Sequence, residues 1–250
     1  MAGPTYHNPD RWLLSIPKHR VQNVIGVTEN YRKIQDLLAK AAADAGRPAE
    51  AVRLLAVAKT KPVEAVLEAA AAGQRDFGEN FVQEGLAKIR SSGRDDLVWH
   101  FIGHLQSNKT RAVAGHFQWV HTIDRLKIAE RLSAQRPHHA PDLNVCIEVN
   151  IDGEASKSGV APGGTAALAH AVAALPRLRL RGLMCLPAER QGFDEQRKPF
   201  AALRRLQESL NAEGLQLDTL SMGMSGDYAA AIHEGATIVR IGTALFGARQ

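Results

Sequence analysis

The sequence predicts a closed (β/α)8 barrel, and three observations carry that prediction. Short apolar runs, often β-branched, recur eight times between residues 54 and 241, as expected for parallel strands buried on both faces. Helical patterns separate them, so strand and helix alternate around one sheet. The segments that follow the runs are polar and glycine-rich, and the C-terminal strand ends are where such a barrel places its ligand. A doubly wound open sheet is the alternative architecture.

Residues 1–27 stand apart as an N-terminal extension. They contain Pro4, Pro9, Pro17 and Trp12 and show no clear periodicity. The barrel domain is read over 28–250. A helix is expected at 28–46, with Thr28 as its N-cap and Tyr31, Ile34, Leu37, Leu38 and Ala41 at helical spacing. Gly46 and Pro48 end it. Strands are expected at 54–58, 75–78, 97–102, 117–121, 143–149, 178–184, 217–221 and 237–241. Helices are expected near 63–72, 80–90, 107–114, 124–135, 164–174, 194–212 and 227–234.

Composition narrows the class. The chain has 250 residues, 45% hydrophobic and 23% charged, which suits one globular domain without disulfides. Cys146 and Cys185 lie inside apolar runs and read as buried free thiols in a reducing, cytoplasmic setting. No stretch has the length of a membrane-spanning helix, and the N-terminus lacks the apolar core of a secretory signal. The net charge of +5 is dispersed, with no basic run or stacking aromatic set. That argues against nucleic acid and fits an anionic small ligand. There is no P-loop and no G-x-S-x-G elbow. His100 and His104 are four apart, but a strand-to-loop transition separates them, so no metal site is expected.

Lys59 ends the apolar run Leu54-Leu55-Ala56-Val57-Ala58. Its amine would sit at the barrel mouth, where it can attack a carbonyl. A solvated lysine capping a strand is the competing reading. The loops after strands seven and eight are the recurrent phosphate site of this fold. Ser221 and Thr243 offer hydroxyls there, and Gly223 and Gly242 let backbone N–H groups approach an anion. Tight turns alone would also use these glycines. Arg240, at the end of strand eight, neighbours strand one on closure and can only donate hydrogen bonds. An ion pair with a barrel carboxylate is the alternative for it. A reactive lysine, a phosphate cradle and a donor together suggest pyridoxal phosphate.

The chain also resembles the YggS/PROSC family of pyridoxal phosphate-binding proteins. The resemblance rests on Ala56-Val57-Ala58-Lys59-Thr60-Lys61-Pro62, on the segment Phe77 to Glu84, and on Trp99 to Lys109. It continues through Val149-Asn150-Ile151, Ser156 to Val160, Arg181 to Met184, Leu220 to Asp227, and Val239 to Gly247. It implies a single barrel like the N-terminal domain of alanine racemase. Lys59 matches the imine-forming lysine and Arg240 the arginine facing the pyridine nitrogen. Ser221, Gly242 and Thr243 match the phosphate contacts, and Asn80 and Met222 fall in pocket-lining motifs. The implied role is a monomeric cofactor carrier or buffer in vitamin B6 homeostasis, without catalytic turnover, delivering to apo enzymes that use pyridoxal phosphate. A weak amino-acid racemase is the alternative, and a cofactor-free Schiff-base aldolase on Lys59 is a third reading.

Two departures stand out. Ala58 replaces the family's usual serine, and residues 1–27 have no assignable counterpart. An arginine donor keeps the pyridine nitrogen unprotonated, which weakens carbanion chemistry. The chain ends soon after the eighth strand, so no second domain is expected to contribute another acid or base. Lys61 and Lys157 are expected near the same mouth, where either could hold a departing aldehyde; two solvated surface lysines are the alternative.

Overall fold

A computed structural model of the chain describes residues 26–154 and 157–247. It opens with α1 (Val27–Asp44). Four strand–helix units follow: β1 (Arg53–Val57) and α2 (Val63–Ala71), β2 (Asp76–Glu79) and α3 (Val82–Ser92), β3 (Val98–Phe101) and α4 (Thr110–His116), β4 (Trp119–Ile123) and α5 (Leu126–Gln135). Four more complete the ring: β5 (Leu143–Glu148) and α6 (Pro162–Ala173), β6 (Leu178–Met184) and α7 (Phe193–Ala212), β7 (Thr219–Ser221) and α8 (Tyr228–His233), β8 (Ile238–Ile241) and α9 (Thr243–Phe246). All neighbours pair in parallel, and β8 pairs with β1 through Leu55 opposite Arg240 and Ala56 opposite Ile241. The sheet is a closed barrel, so the open-sheet alternative is set aside.

Strand alternation sorts the side chains into two sets. Leu54, Ala56, Phe77, Val145, Ile147, Leu183 and Val239 face outward and pack beneath the helices in the main core. Leu55, Val57, Ile102 and Ile238 form an apolar cluster inside the barrel, and Val98, Trp119, Cys146 and Met184 form another. Cys146 and Cys185 are both free and fully buried, and burial pushes each thiol up to about 12.

α1 packs against α2, α8 and α9, burying Ile34, Leu38 and Ala42. Its N-cap is Gly26 rather than Thr28, which lies within the helix. The backbone N–H groups of Glu29 and Asn30 both reach the Gly26 carbonyl, so the helix starts two residues earlier. Most of the 1–27 extension therefore lies outside the described residues. No described helix is long and apolar enough to cross a membrane.

Candidate functional site

The turn after β1 aims Lys59 into the barrel mouth. Leu55 and Val57 point inward, and two-residue alternation continues that series to Lys59. The Lys61 N–H donates to the Ala58 carbonyl at 3.0 Å, closing a tight turn. Within it Thr60 takes φ 62°, an unfavourable angle for a β-branched residue. Two groups from α3 hold it there. The Glu84 carboxylate accepts from the Thr60 N–H. Lys88, 6% exposed, donates to the Ala58 carbonyl at 2.6 Å, to Glu79 at 2.7 Å and to Glu84 at 2.6 Å. Burial pushes the Glu79 carboxyl up to about 7; Lys88 opposes the shift and Glu84 adds to it. The Lys59 amine itself has no hydrogen bond or ion pair among the described residues.

Arg240 is 5% exposed and meets no carboxylate within ion-pair distance among the described residues. Its guanidinium donates to the Ser221 carbonyl (2.6 Å), the Ser221 hydroxyl (2.7 Å) and the Cys185 carbonyl (2.8 Å). The ion-pair alternative does not hold. Behind it a polar chain crosses the barrel. His121 Nδ1 is 2.8 Å from Ser221 Oγ, His121 Nε2 is 2.9 Å from His100 Nδ1, and His100 Nε2 is 3.0 Å from Asp76 Oδ1. Burial holds both imidazoles below the ordinary histidine value, His121 well below it; Asp76 partly offsets the effect at His100, while His100 and Arg240 deepen it at His121.

Lys59, Asn80, Arg240, Gly242 and Thr243 border one cavity of about 350 Å³. Gly242 is the N-cap of α9, so a helix start, whose first N–H groups have no partner in the helix, borders the cavity too. Asn80 reaches it because Gly103 lacks a side chain: a Cβ there would lie 2.0 Å from the Asn80 carbonyl oxygen. The Asn80 Oδ1 is buried without a hydrogen-bond partner.

Two expected residues are placed elsewhere. Ser221 is fully buried beneath the cavity, with its hydroxyl between Arg240 and His121. Met222 is the next residue and faces outward into the strand–helix core. The residues of this loop that border the cavity are Met224 and Ser225. The loop reaches it through Gly223, whose φ is 92° and whose Cβ position would lie 2.6 Å from Ala231 Cβ. Lys61 donates to the Gly247 carbonyl at 2.9 Å. Lys157 pairs with Glu154 at 2.7 Å and borders a second cavity.

That second cavity, about 240 Å³, shares Asn80, Ile102 and Leu186 with the first. His104 stands on its wall, and Glu148 at the end of β5 faces into it. Burial pushes the Glu148 carboxyl up to about 7; Asp124 adds to the shift and Arg240 opposes it. Sequence reasoning passed over Glu148, Ser225, Lys88 and His121. Glu148 had a visible signal: a charge at the inward position of the apolar run Val145-Cys146-Ile147.

Comparison with known proteins agrees with this geometry. The family described as alanine racemase, N-terminal domain, matches residues 26–250. The pyridoxal phosphate homeostasis protein of Pseudomonas aeruginosa is 60% identical over 224 residues, 90% of this chain and 96% of that protein. PipY of Synechococcus elongatus, solved with pyridoxal phosphate bound, superposes with TM-score 0.77 at 35% identity, covering 88% of this chain and all of PipY. A protein of unknown function from Bifidobacterium adolescentis superposes with TM-score 0.83 at 35% identity, over 88% of this chain and 94% of that one. Fold and mouth together define a single-domain barrel of the alanine racemase N-terminal class. Within that class the chain belongs to the YggS/PROSC family, the pyridoxal phosphate homeostasis proteins.

Proposed function

We propose that this chain binds pyridoxal 5′-phosphate as an imine on Lys59 and acts in cytoplasmic vitamin B6 homeostasis as a carrier or buffer, without catalytic turnover. The binding unit is the barrel over 28–250. The observation that carries the reading is the unengaged Lys59 amine in the same cavity as the Arg240 guanidinium and the start of α9. Those residues fit the cofactor's groups. Lys59 would anchor the aldehyde, and Arg240 would donate to the ring nitrogen. Gly242, Thr243 and Ser225 would receive the phosphate on backbone N–H and hydroxyl groups. Asn80, with a buried acceptor lacking a partner, would meet a donor of the bound molecule. When bound, the cofactor supplies an electrophilic aldehyde and a ring able to store carbanion charge.

Arg240 supports binding over turnover. A guanidinium only donates hydrogen bonds and stays protonated, so the nitrogen it faces carries no proton of its own. Ser221 and Cys185 hold the guanidinium in place from behind. Lys61 and Lys157 would hold the aldehyde in passing as it leaves for an apo enzyme, and the carrier would work as a monomer.

Reconstitution followed by visible absorption tests the anchor. The imine band is expected in the natural chain and absent in Lys59→Ala. Transfer to an apo enzyme under a trap for free cofactor tests delivery, with Lys61→Ala and Lys157→Ala slowing it. Sustained turnover of one amino acid, lost in Lys59→Ala, would overturn the carrier reading.

A further inference from the structure

Glu148 is 5% exposed and lines the smaller cavity, and its carboxyl has no hydrogen bond or ion pair within the described residues. A buried carboxyl without a partner is costly. Asn80 Oδ1, on the wall shared with the Lys59 cavity, is a second buried acceptor without a donor. Two other polar groups of this wall are already engaged. The Thr122 hydroxyl donates to the Gly103 carbonyl at 2.7 Å, and the Asn150 amide donates to the Glu154 carbonyl at 2.8 Å. The cavity therefore presents two acceptors that lack donors, the Glu148 carboxyl and Asn80 Oδ1.

A ligand matching it must bring several N–H donors and a positive charge in a small head group. A primary ammonium has three donors and no acceptor. We infer that this cavity is a subsite for the ammonium group of a small primary amine, received by the Glu148 carboxylate and Asn80 Oδ1 beside Lys59. The titratable and charged groups near Glu148 come from several elements: Asp124 after β4, Arg240 on β8, His104 after β3 and Lys157 after β5, with Lys59 after β1 in the adjoining cavity. The Lys157 ammonium is already paired with Glu154 and donates to the Leu186 carbonyl at 3.2 Å. Such an amine, after giving its proton to water, would form a C–N bond to an aldehyde carbon held on Lys59 while the bond to Lys59 breaks and the Lys59 nitrogen takes up a proton. That use rests on the cofactor reading; the subsite itself does not.

The test uses the cofactor-free full chain and ethylammonium as the probe, with tetramethylammonium and ethanol as controls. Ethylammonium is expected to bind and to shift the 13C resonance of the Glu148 carboxyl. The near-isosteric Glu148→Gln should weaken binding roughly tenfold or more. Tetramethylammonium carries charge without N–H donors and should bind much more weakly, as should ethanol. Lys59→Ala should keep ethylammonium binding while losing covalent cofactor, which separates failure of this inference from failure of the cofactor reading. Equal binding by Glu148→Gln, equal binding of tetramethylammonium, or an unmoved Glu148 resonance at saturating ethylammonium would each overturn it. Thermal melting of Glu148→Gln checks its fold, and the carboxyl resonance tests the natural chain without any substitution.

Discussion

His121 Nδ1 stands 2.8 Å from Ser221 Oγ, and that contact fixes the direction of every proton in the polar chain behind Arg240. Asp76 only accepts, so His100 donates from Nε2 and accepts at Nδ1. His121 must then donate from Nε2 and accept at Nδ1. Ser221 gives its single proton to His121, which leaves its lone pairs for the Arg240 guanidinium. Read from Arg240, which can only donate, the same order results. Two neutral imidazoles are required, and burial keeps both below the ordinary histidine value.

Replacing His121 with leucine leaves the Ser221 proton and His100 Nδ1 unpaired in the barrel interior. The cost is about 2 kcal/mol or more, measured by urea unfolding. The bound cofactor's absorption maximum should move as well, because Arg240 loses its fixed backing. The contribution of the two histidines should be lost as pH falls below about 6.5, seen as a difference between the natural chain and His121→Leu. A depressed histidine contributes its full stability above the unfolded value and loses it as pH falls through the folded one.

Glu148 and Glu79 act with the opposite sign. Both carboxyls are raised from 4.5 to about 7, so each favours the folded state at low pH and loses that contribution as pH rises between those values. For the desolvated Glu148 the change is about 3 kcal/mol. Glu148→Gln should therefore melt higher than the natural chain at pH 8, and the difference should shrink toward pH 5. A calorimetric pH series measures both limbs.

Lys88→Met should cost about 3–5 kcal/mol, because it leaves Glu79 buried without its cation. The same change removes the donor to the Ala58 carbonyl, so the turn carrying Lys59 loosens and cofactor loading falls. Adding Glu79→Gln should restore much of the stability and little of the loading. A double-mutant cycle read by both measurements separates the two losses.

Gly103→Ala would place a methyl against the Asn80 carbonyl. We expect about 1–3 kcal/mol of destabilisation from overpacking, with weaker cofactor retention as Asn80 is displaced. Denaturant unfolding and dialysis of loaded protein measure the two effects.

Ser225→Ala and Ser221→Ala should separate cleanly. The Ser225 change should weaken retention of the phosphate, by about tenfold if a charged hydrogen bond is lost. The Ser221 change should leave phosphate retention nearly intact and alter the cofactor spectrum through Arg240. Comparing pyridoxal with its phosphate ester in each variant tests the assignment.

The barrel was legible because parallel strands buried on both sides read as apolar runs, and most strand limits agree within a residue or two. The fourth strand reads too early. His121 and Thr122 resemble a polar strand end, whereas both are buried and β4 continues to Ile123. Lys59, Asn80, Arg240, Gly242 and Thr243 could be placed because strand ends converge in this fold. Ser221 could not be placed in the same way: at a strand end a hydroxyl can face the ligand or the residue beneath it, and here it meets Arg240. The polar chain was illegible, since His121 meets partners 21 and 100 residues away that only ring closure brings together.

Ring closure also sets an order of events during synthesis. Lys59 is on an early segment, while Arg240 comes from β8, which pairs with β1, and Gly242 and Thr243 come from the start of α9 just after it. Such long-range pairing forms late. Asn30 then latches the final helix by donating to the Leu245 carbonyl at 3.0 Å. A nascent chain thus exposes Lys59 long before it has a pocket, so under the proposed function cofactor capture would be reserved for chains in which β8 has met β1.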